Sequence, residues 1–146
     1  MSAHPYDEVY LSQVVETQGK FFESLQDLDP PVDSQQVIGD YMRSDLRRQL
    51  DEGHAYFLTL GAKDLQMRLF REVGGAPRAG EPLRGFLPNW IGRFYAYCQW
   101  YWNVPSATIV AKLPVEDMTS LYRGAHDLDL ALAVRKIGEP VFADCR

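Results

Sequence analysis

The stretch Pro88–Val104, PNWIGRFYAYCQWYWNV, decides how this chain folds. It contains all three tryptophans, three of the eight tyrosines and one of the two cysteines. On a helix, one broad arc holds most of the large side chains, which are Trp90, Ile91, Phe94, Tyr95, Tyr97, Cys98, Tyr101 and Trp102. The opposite strip is narrow and holds Gly92, Ala96, Gln99 and Asn103, with Arg93 and Trp100 at its edge. So wide an apolar arc needs cover over most of the helix, which predicts a central helix at about 89–103.

Length, composition and charge narrow the class of protein. With 146 residues, of which 46% are hydrophobic, the chain is predicted to form a single helical domain over 1–146. The net charge of −5 arises in residues 1–50, which contain nine acidic and four basic residues. An acidic N-terminal part argues against a general nucleic-acid binder and suits a basic protein partner.

Cysteine use and hydropathy predict the compartment. Cys98 and Cys145 form neither a disulfide framework nor a CxxC metal motif, and Cys98 is expected to be buried in the aromatic arc. No run reaches the roughly 18 apolar residues of a membrane span. The N-terminus, MSAHPYDEVY, lacks the basic and apolar regions of a signal peptide. We therefore expect a cytoplasmic protein without membrane contact.

Periodicity predicts an all-α bundle of six or seven helices packed around the central one. Besides the central helix, the expected helices run from about Pro5–Asp7 to Leu28, from Asp33 or Ser34 to Asp51, and over 62–73, 106–113, 115–122 and 127–137. The connector 54–61 is predicted to be a buried loop or a single turn. Gly138-Glu139-Pro140 is expected to stop the last helix, because proline is disfavoured inside a helix.

The segment 74–85, GGAPRAGEPLRG, contains four glycines and two prolines in twelve residues. This composition is typical of a flexible linker. We predict a mobile loop that precedes the central helix and is available to a partner.

Candidate chemistry is sparse. His126, Asp127 and Asp129 form an HDLD cluster, which could bind a metal or share a proton, although aspartate is also the usual cap of a helix start. We favour the capping interpretation and predict no metal, no cofactor and no catalytic residue. The alternative is a ligand pocket or enzyme site, whose candidate residues are Tyr97, Gln99, Tyr122, His126 and Asp129. No HExxH, GxSxG or phosphate-binding glycine pattern is present.

Two further surfaces are candidates for binding. Arg43, Arg47 and Arg48 form a small basic patch on the second helix, and we predict that this patch and the polar sides of the first two helices contact a partner. The short C-terminal helices have helix-turn-helix spacing, which makes a DNA-binding regulator a second alternative. Residues 105–137 hold four basic and four acidic residues, so they offer no basic recognition face.

Two motifs carry a resemblance to a known family. The runs YAYCQWYWNVPSATI (95–109) and LPVEDMTSLYRGAHDLD (113–129), with an opening YDEVYL (6–11), resemble a small bacterial family of hypothetical proteins. That family reads WxxAYYQW and then LYxxLHxxD. The matching residues here are Tyr95, Ala96, Tyr97, Gln99, Trp100, Leu121, Tyr122, His126 and Asp129. Cys98 replaces the second tyrosine of the AYYQW core.

Members of this family are often encoded near an ADP-ribosyltransferase-like toxin. The resemblance therefore implies a non-catalytic member of a bacterial toxin–antitoxin or defence locus, either antitoxin-like or an accessory subunit. Our leading hypothesis from the sequence is a protein-interaction module with a protein partner, which the resemblance suggests is a toxin encoded nearby.

Overall fold

The predicted all-α class is confirmed. The structure, a computed structural model, describes residues 4–145. Its helices are α1 (Leu11–Ser24), α2 (Ser34–Met42), α3 (Asp45–Asp51), α4 (Ala55–Leu58), α5 (Ala62–Glu72), α6 (Leu87–Trp102), α7 (Ser106–Lys112), α8 (Met118–Ala125) and α9 (Leu130–Phe142). Short 3-10 turns lie at Glu8–Tyr10, Leu25–Asp27, Val115–Asp117 and Ala143–Cys145. Within the described range no strand forms, apart from an isolated bridge between Val32 and Ala79.

Helix α6 is the predicted central helix, and α1, α7, α8 and α9 pack around it. Phe94, Tyr95 and Cys98 are fully buried. The polar ends of its aromatic side chains reach backbone carbonyls of other elements. Tyr95 Oη donates to the Leu113 carbonyl at 2.6 Å, and Trp100 Nε1 donates to the Tyr6 carbonyl at 2.8 Å. These bonds satisfy polar groups that burial would otherwise leave unpaired.

The strip of small residues on α6 is buried as well, because α1 crosses there. A Cβ on Gly92 would lie 2.5 Å from the Gln18 carbonyl oxygen and 2.8 Å from the Gly19 Cα. A Cβ on Gly19 would in turn meet Arg93 Cγ at 2.7 Å. The two glycines therefore allow the helix backbones to approach more closely than larger residues would.

The prediction of one helix from Asp33 or Ser34 to Asp51 is wrong, because this segment forms two helices, α2 and α3. Asp33 does cap α2, because its Oδ1 accepts from the Gln36 N–H at 3.2 Å. Ser44 then ends the run and caps α3, where its Oγ accepts from the Arg47 N–H at 3.0 Å. Glu72 adds a carboxylate that accepts from the first two N–H groups of α3. These partners satisfy a helix start that a continuous helix would not need.

The last helix also departs from prediction. It begins at Leu130, with Asp129 rather than Asp127 at the N-cap position. It continues through Pro140 to Phe142, which is fully buried. Gly138 does not stop the helix, and its role is packing, because a Cβ there would lie 2.1 Å from Trp102 Nε1. Burial of Phe142 offsets the hydrogen bond that Pro140 cannot make.

Segment 54–61 links α3 to α5, and segment 74–85 links α5 to α6. The connector 54–61 contains the predicted single turn, α4. Loop residues 78–85 are tied to the start of α2: Asp33 N–H donates to the Arg78 carbonyl at 2.9 Å, and Leu83 N–H donates to Ser34 Oγ at 2.9 Å. Flexibility of 74–85 stays a prediction, and with these anchors we expect motion mainly at 74–77. Within the described residues, no helix is both long and apolar enough to span a membrane.

Candidate functional site

A groove of about 720 Å³ opens between α1 and α6, and the start of α9 closes one end. The residues that line it are Glu8, Leu11, Ser12, Val15, Glu16, Lys20, Glu23, Phe86, Asn89, Arg93, Tyr97, Asp129, Leu130 and Ala131. Apolar atoms form the floor, and charged side chains form the rim. Grooves of this kind are where proteins commonly bind ligands or partner segments.

Helical periodicity builds both walls. On α6 the lining residues Asn89, Arg93 and Tyr97 are four residues apart, so they form one stripe beside the crossing with α1. The two helices run antiparallel. Glu23 accepts from Asn89 at one end, Gln18 donates to the Gly92 carbonyl at the crossing, and the start of α1 lies near Tyr97. The groove therefore runs alongside the two antiparallel helices.

One end of the groove is acidic. Partial burial raises the pKa of the Tyr97 hydroxyl, and the carboxylates of Glu8 and Asp129 raise the pKa further, while Arg135 opposes them. These effects place both carboxylates within electrostatic range of the same hydroxyl. Glu8, Tyr97 and Asp129 come from a 3-10 turn, α6 and the N-cap of α9, so three elements fix their backbones.

The middle of the groove contains both acidic and basic side chains. At the far end, a hydrogen bond fixes the position of the Glu23 carboxylate. Lys20 Nζ lies 3.0 Å from Glu16 Oε1, and both side chains are mostly exposed. The hydrogen bond from Lys20 is the main cause that lowers the pKa of Glu16, and Arg93 lowers it slightly. At the far end, Asn89 Nδ2 donates to Glu23 Oε1 at 3.0 Å. The rim thus has four carboxylates against two basic side chains.

The five residues of the predicted ligand pocket do not line one cavity. Tyr97 and Asp129 line the groove. Tyr122 and His126 stack at 4.5 Å between ring centroids on α8 and the turn after it, and His126 is exposed with its Nδ1 2.8 Å from the Tyr122 carbonyl oxygen. Gln99 is 1% exposed and faces the opposite side, where its Nε2 donates to the Asp51 carbonyl at 3.4 Å. A shared catalytic or ligand role for all five is therefore not supported by their placement.

The predicted basic patch requires a correction. Arg47 is fully buried, so it is unavailable to a partner. Arg43 and Arg48 are exposed, but their charges are partly balanced by acidic neighbours on the same helices. Arg48 lies 3.3 Å from Asp45 and 3.9 Å from Glu52, which makes this surface mixed rather than basic.

Arg47 instead forms the centre of a buried polar network. Its Nε donates to Gln18 Oε1 at 2.8 Å, and its Nη1 lies 3.0 Å from Asp51 Oδ1. Asp51 also accepts from the Ser106 hydroxyl at 2.6 Å and from the Ser106 N–H at 2.8 Å, which caps α7. The network joins α1, α3 and α7 and, through the bond from Gln18 to Gly92, also α6. Its role in this fold is to hold four helices together.

The described residues give little support for metal binding or for a reactive thiol at Cys98. Across 4–145, no group of three or more His, Cys, Asp or Glu side chains has an arrangement that could hold a metal ion. Burial raises the pKa of the Cys98 thiol, which disfavours the reactive thiolate.

Sequence reasoning missed the groove, although it selected Tyr97 and Asp129. The sequence places Glu8 near the start of the first helix and Glu16 and Glu23 on its polar side, without indicating that they line a groove. The available signal is the spacing of Glu16 and Glu23 on α1 and of Asn89, Arg93 and Tyr97 on α6, but using it requires the antiparallel pairing of the two helices. Comparison with protein-family models, with curated proteins and with solved structures gives no match to this chain.

Proposed function

We propose that this chain is a protein-interaction module, and that a positively charged segment of a partner protein binds in the groove between α1 and α6. The observation that carries the proposal is the combination of an apolar floor with a rim of four carboxylates and two basic side chains. Protein partners are recognised by such pairing of apolar burial with complementary charge.

The charges on the rim predict that the partner segment is positively charged. Glu8 and Asp129 both line the groove and both act on the Tyr97 hydroxyl at one end, and Glu23 is oriented by Asn89 at the other end. Only the middle of the groove offers cations, and Lys20 is already paired with Glu16. A partner that places Lys or Arg at the ends and apolar side chains along the floor satisfies this pattern.

The resemblance to the toxin-associated bacterial family supports a narrower proposal. In it, this chain is an antitoxin-like or accessory subunit that works in the cytoplasm, and the partner is a toxin encoded nearby. A groove with these charges would suit a basic segment of such a toxin.

The two alternatives find less support. The candidate pocket residues are divided between the groove, the α8 surface and the buried network. For DNA binding, the exposed charges around α7 and α8 include Lys112 and Arg123 but also Glu116 and Asp117. That mixed surface does not offer the basic stripe expected for phosphate contacts.

Affinity capture with matched variants tests the proposal. The tagged wild type is compared with Ser12→Arg/Glu16→Arg, which adds bulk and positive charge at two exposed groove positions. The control, Gln13→Arg/Glu116→Arg, makes the same change in charge at exposed positions outside the groove. A protein held by the wild type and the control, but lost by the groove variant, supports the proposal.

The captured protein is then purified and titrated against the three baits by calorimetry. We expect the groove variant to weaken binding by at least about tenfold, which corresponds to roughly 1.4 kcal/mol. Capture that is equal for all three baits, or a wild type that retains no protein, overturns the proposal.

A further inference from the structure

We infer that the acidic end of the groove receives an arginine side chain, carried at one end of an amphipathic helix that lies along the groove. This inference rests on the proposed function and adds to it the secondary structure of the bound segment and the residue that it inserts.

The shape of the groove favours a helix. Its walls are two antiparallel helices, and its lining stripe on one side runs from Phe86 to Tyr97, eleven residue steps or about 16 Å along the axis. Three turns of a third helix span the same length, with apolar side chains at i, i+4, i+7 and i+11 directed to the floor. Phe86, which is 50% exposed, offers an apolar contact at the far end.

The chemistry of the near end favours a guanidinium group. The half-buried ring of Tyr97 provides a face for cation–π contact, and Glu8 and Asp129 lie within electrostatic range of its hydroxyl. Arg135 also acts on that hydroxyl, but it does not line the groove. Arginine combines a planar group that stacks on aromatic rings with paired donors that match carboxylates, whereas lysine offers a single point charge.

The far end of the groove is less suited to an inserted arginine, because Asn89 already holds the carboxylate of Glu23 there. Asn89 is 9% exposed and lines the groove, and its Oδ1 has no hydrogen-bond partner among the described residues, while its Nδ2 is used by Glu23. The middle, where Arg93 and Lys20 lie, is the part least suited to a cation, which places the arginine at the end.

A synthetic helix is the probe. It has about sixteen residues, with leucine at i, i+4, i+7 and i+11, one arginine in the turn beyond the last leucine and neutral polar residues elsewhere. A second peptide replaces the arginine by glutamine, and a third keeps the arginine but carries a central proline, which breaks the helix. Fluorescence anisotropy measures the affinity of each peptide for the wild type, for Glu8→Gln/Asp129→Asn and for a control, Glu116→Gln/Glu139→Gln. The control removes two exposed carboxylates outside the groove.

We expect the arginine peptide to bind the wild type and the control alike, and to bind Glu8→Gln/Asp129→Asn about tenfold more weakly. The glutamine peptide should bind about tenfold more weakly to the wild type and should not respond to that double substitution, because the interaction is then already lost. The proline peptide should bind weakest. A Tyr97→Leu variant, which keeps both carboxylates, should also lose affinity for the arginine peptide.

Three results overturn the inference. These are no saturable binding up to about 1 mM arginine peptide, equal affinity of the arginine and glutamine peptides, and equal affinity of the arginine and proline peptides. None of these affects the capture experiment with Ser12→Arg/Glu16→Arg, which tests the groove as an interface with the real partner. A partner that is lost there, combined with failure here, means that the groove binds a segment of different chemistry.

Discussion

Arg47 Nη1 lies 3.0 Å from Asp51 Oδ1 in the interior of the bundle, where the arginine side chain is fully buried and the aspartate side chain is 10% exposed. Arg47 also donates to Gln18, and Asp51 also accepts from Ser106. An ion pair at this depth costs desolvation energy, so its contribution to stability depends on both partners being present. Among the described residues, this pair and its hydrogen bonds add charge to the apolar contacts that join α1, α3 and α7.

Arg47→Ala should therefore be strongly destabilising. It leaves Asp51 as a buried charge without its cation and removes the donor to Gln18, for an expected loss of about 3–5 kcal/mol in the free energy of unfolding. Urea denaturation followed by circular dichroism measures this loss. The control is Arg48→Ala, next in sequence with a side chain 60% exposed, which should cost no more than about 1 kcal/mol. Equal losses for the two variants would contradict the structural role of the buried pair.

The crossing of α1 and α6 gives a second prediction. Gly92→Ala places a methyl group against the backbone of Gln18 and Gly19, which cannot move aside as a flexible side chain would. We expect a loss of about 1–3 kcal/mol, the usual range for overpacking.

Gly124→Ala is the matched control for this substitution. Gly124 lies in α8, and a Cβ there would meet nothing within 4 Å. Alanine at this position should stabilise the protein by about 0.4–1 kcal/mol, because it restricts the unfolded chain. Thermal denaturation of the two variants should therefore give shifts of opposite sign, and a Gly92→Ala variant at least as stable as the wild type would contradict the close crossing.

Arg47 is buried and Arg48 is exposed, and this contrast shows which features of the fold the sequence can predict and which it cannot. The aromatic arc of Pro88–Val104 and the helical periodicity of the other segments follow local rules, so the all-α class and the central helix could be predicted. The break at Ser44 could not, because it depends on the carboxylate of Glu72, which is distant in sequence. Likewise, Arg47 has the same local pattern as its neighbours, and only the positions of Gln18 and Asp51 show that it is internal. The groove needs the antiparallel pairing of α1 and α6, which no single helix reveals.

Accessibility of the two thiols gives a third prediction. Cys98 is fully buried and burial raises the pKa of its thiol, whereas Cys145 is exposed. Iodoacetamide at neutral pH should modify Cys145 readily and leave Cys98 unmodified until the chain unfolds. Peptide mass spectrometry after labelling, with and without urea, distinguishes the two sites. Comparable modification of both in the native protein would contradict the burial of the α6 arc.

The buried tyrosines predict how stability responds to alkali. Burial raises the pKa of Tyr6 to about 12; Arg47 opposes this increase, and Asp51 adds to it. Burial raises the pKa values of Tyr41 and Tyr95 as well. Because the unfolded chain releases the Tyr6 proton near its ordinary pKa of 10.0, the stability linked to Tyr6 is complete below pH 10. That stability is then lost as the pH rises to about 12, for a total of about 2–3 kcal/mol.

Urea denaturation at a series of pH values from 9 to about 12 tests this linkage. The wild type should lose stability steadily over that interval, and Tyr6→Phe should show a shallower slope, because one of the coupled protons is gone. The control is Tyr10→Phe, at a ring that is 47% exposed, and it should keep the wild-type slope. At neutral pH Tyr6→Phe should cost little, since the hydroxyl that it removes is buried without a hydrogen-bond partner among the described residues. A slope for Tyr6→Phe as steep as that of the wild type would show that Tyr6 ionises as readily in the folded chain as in the unfolded one.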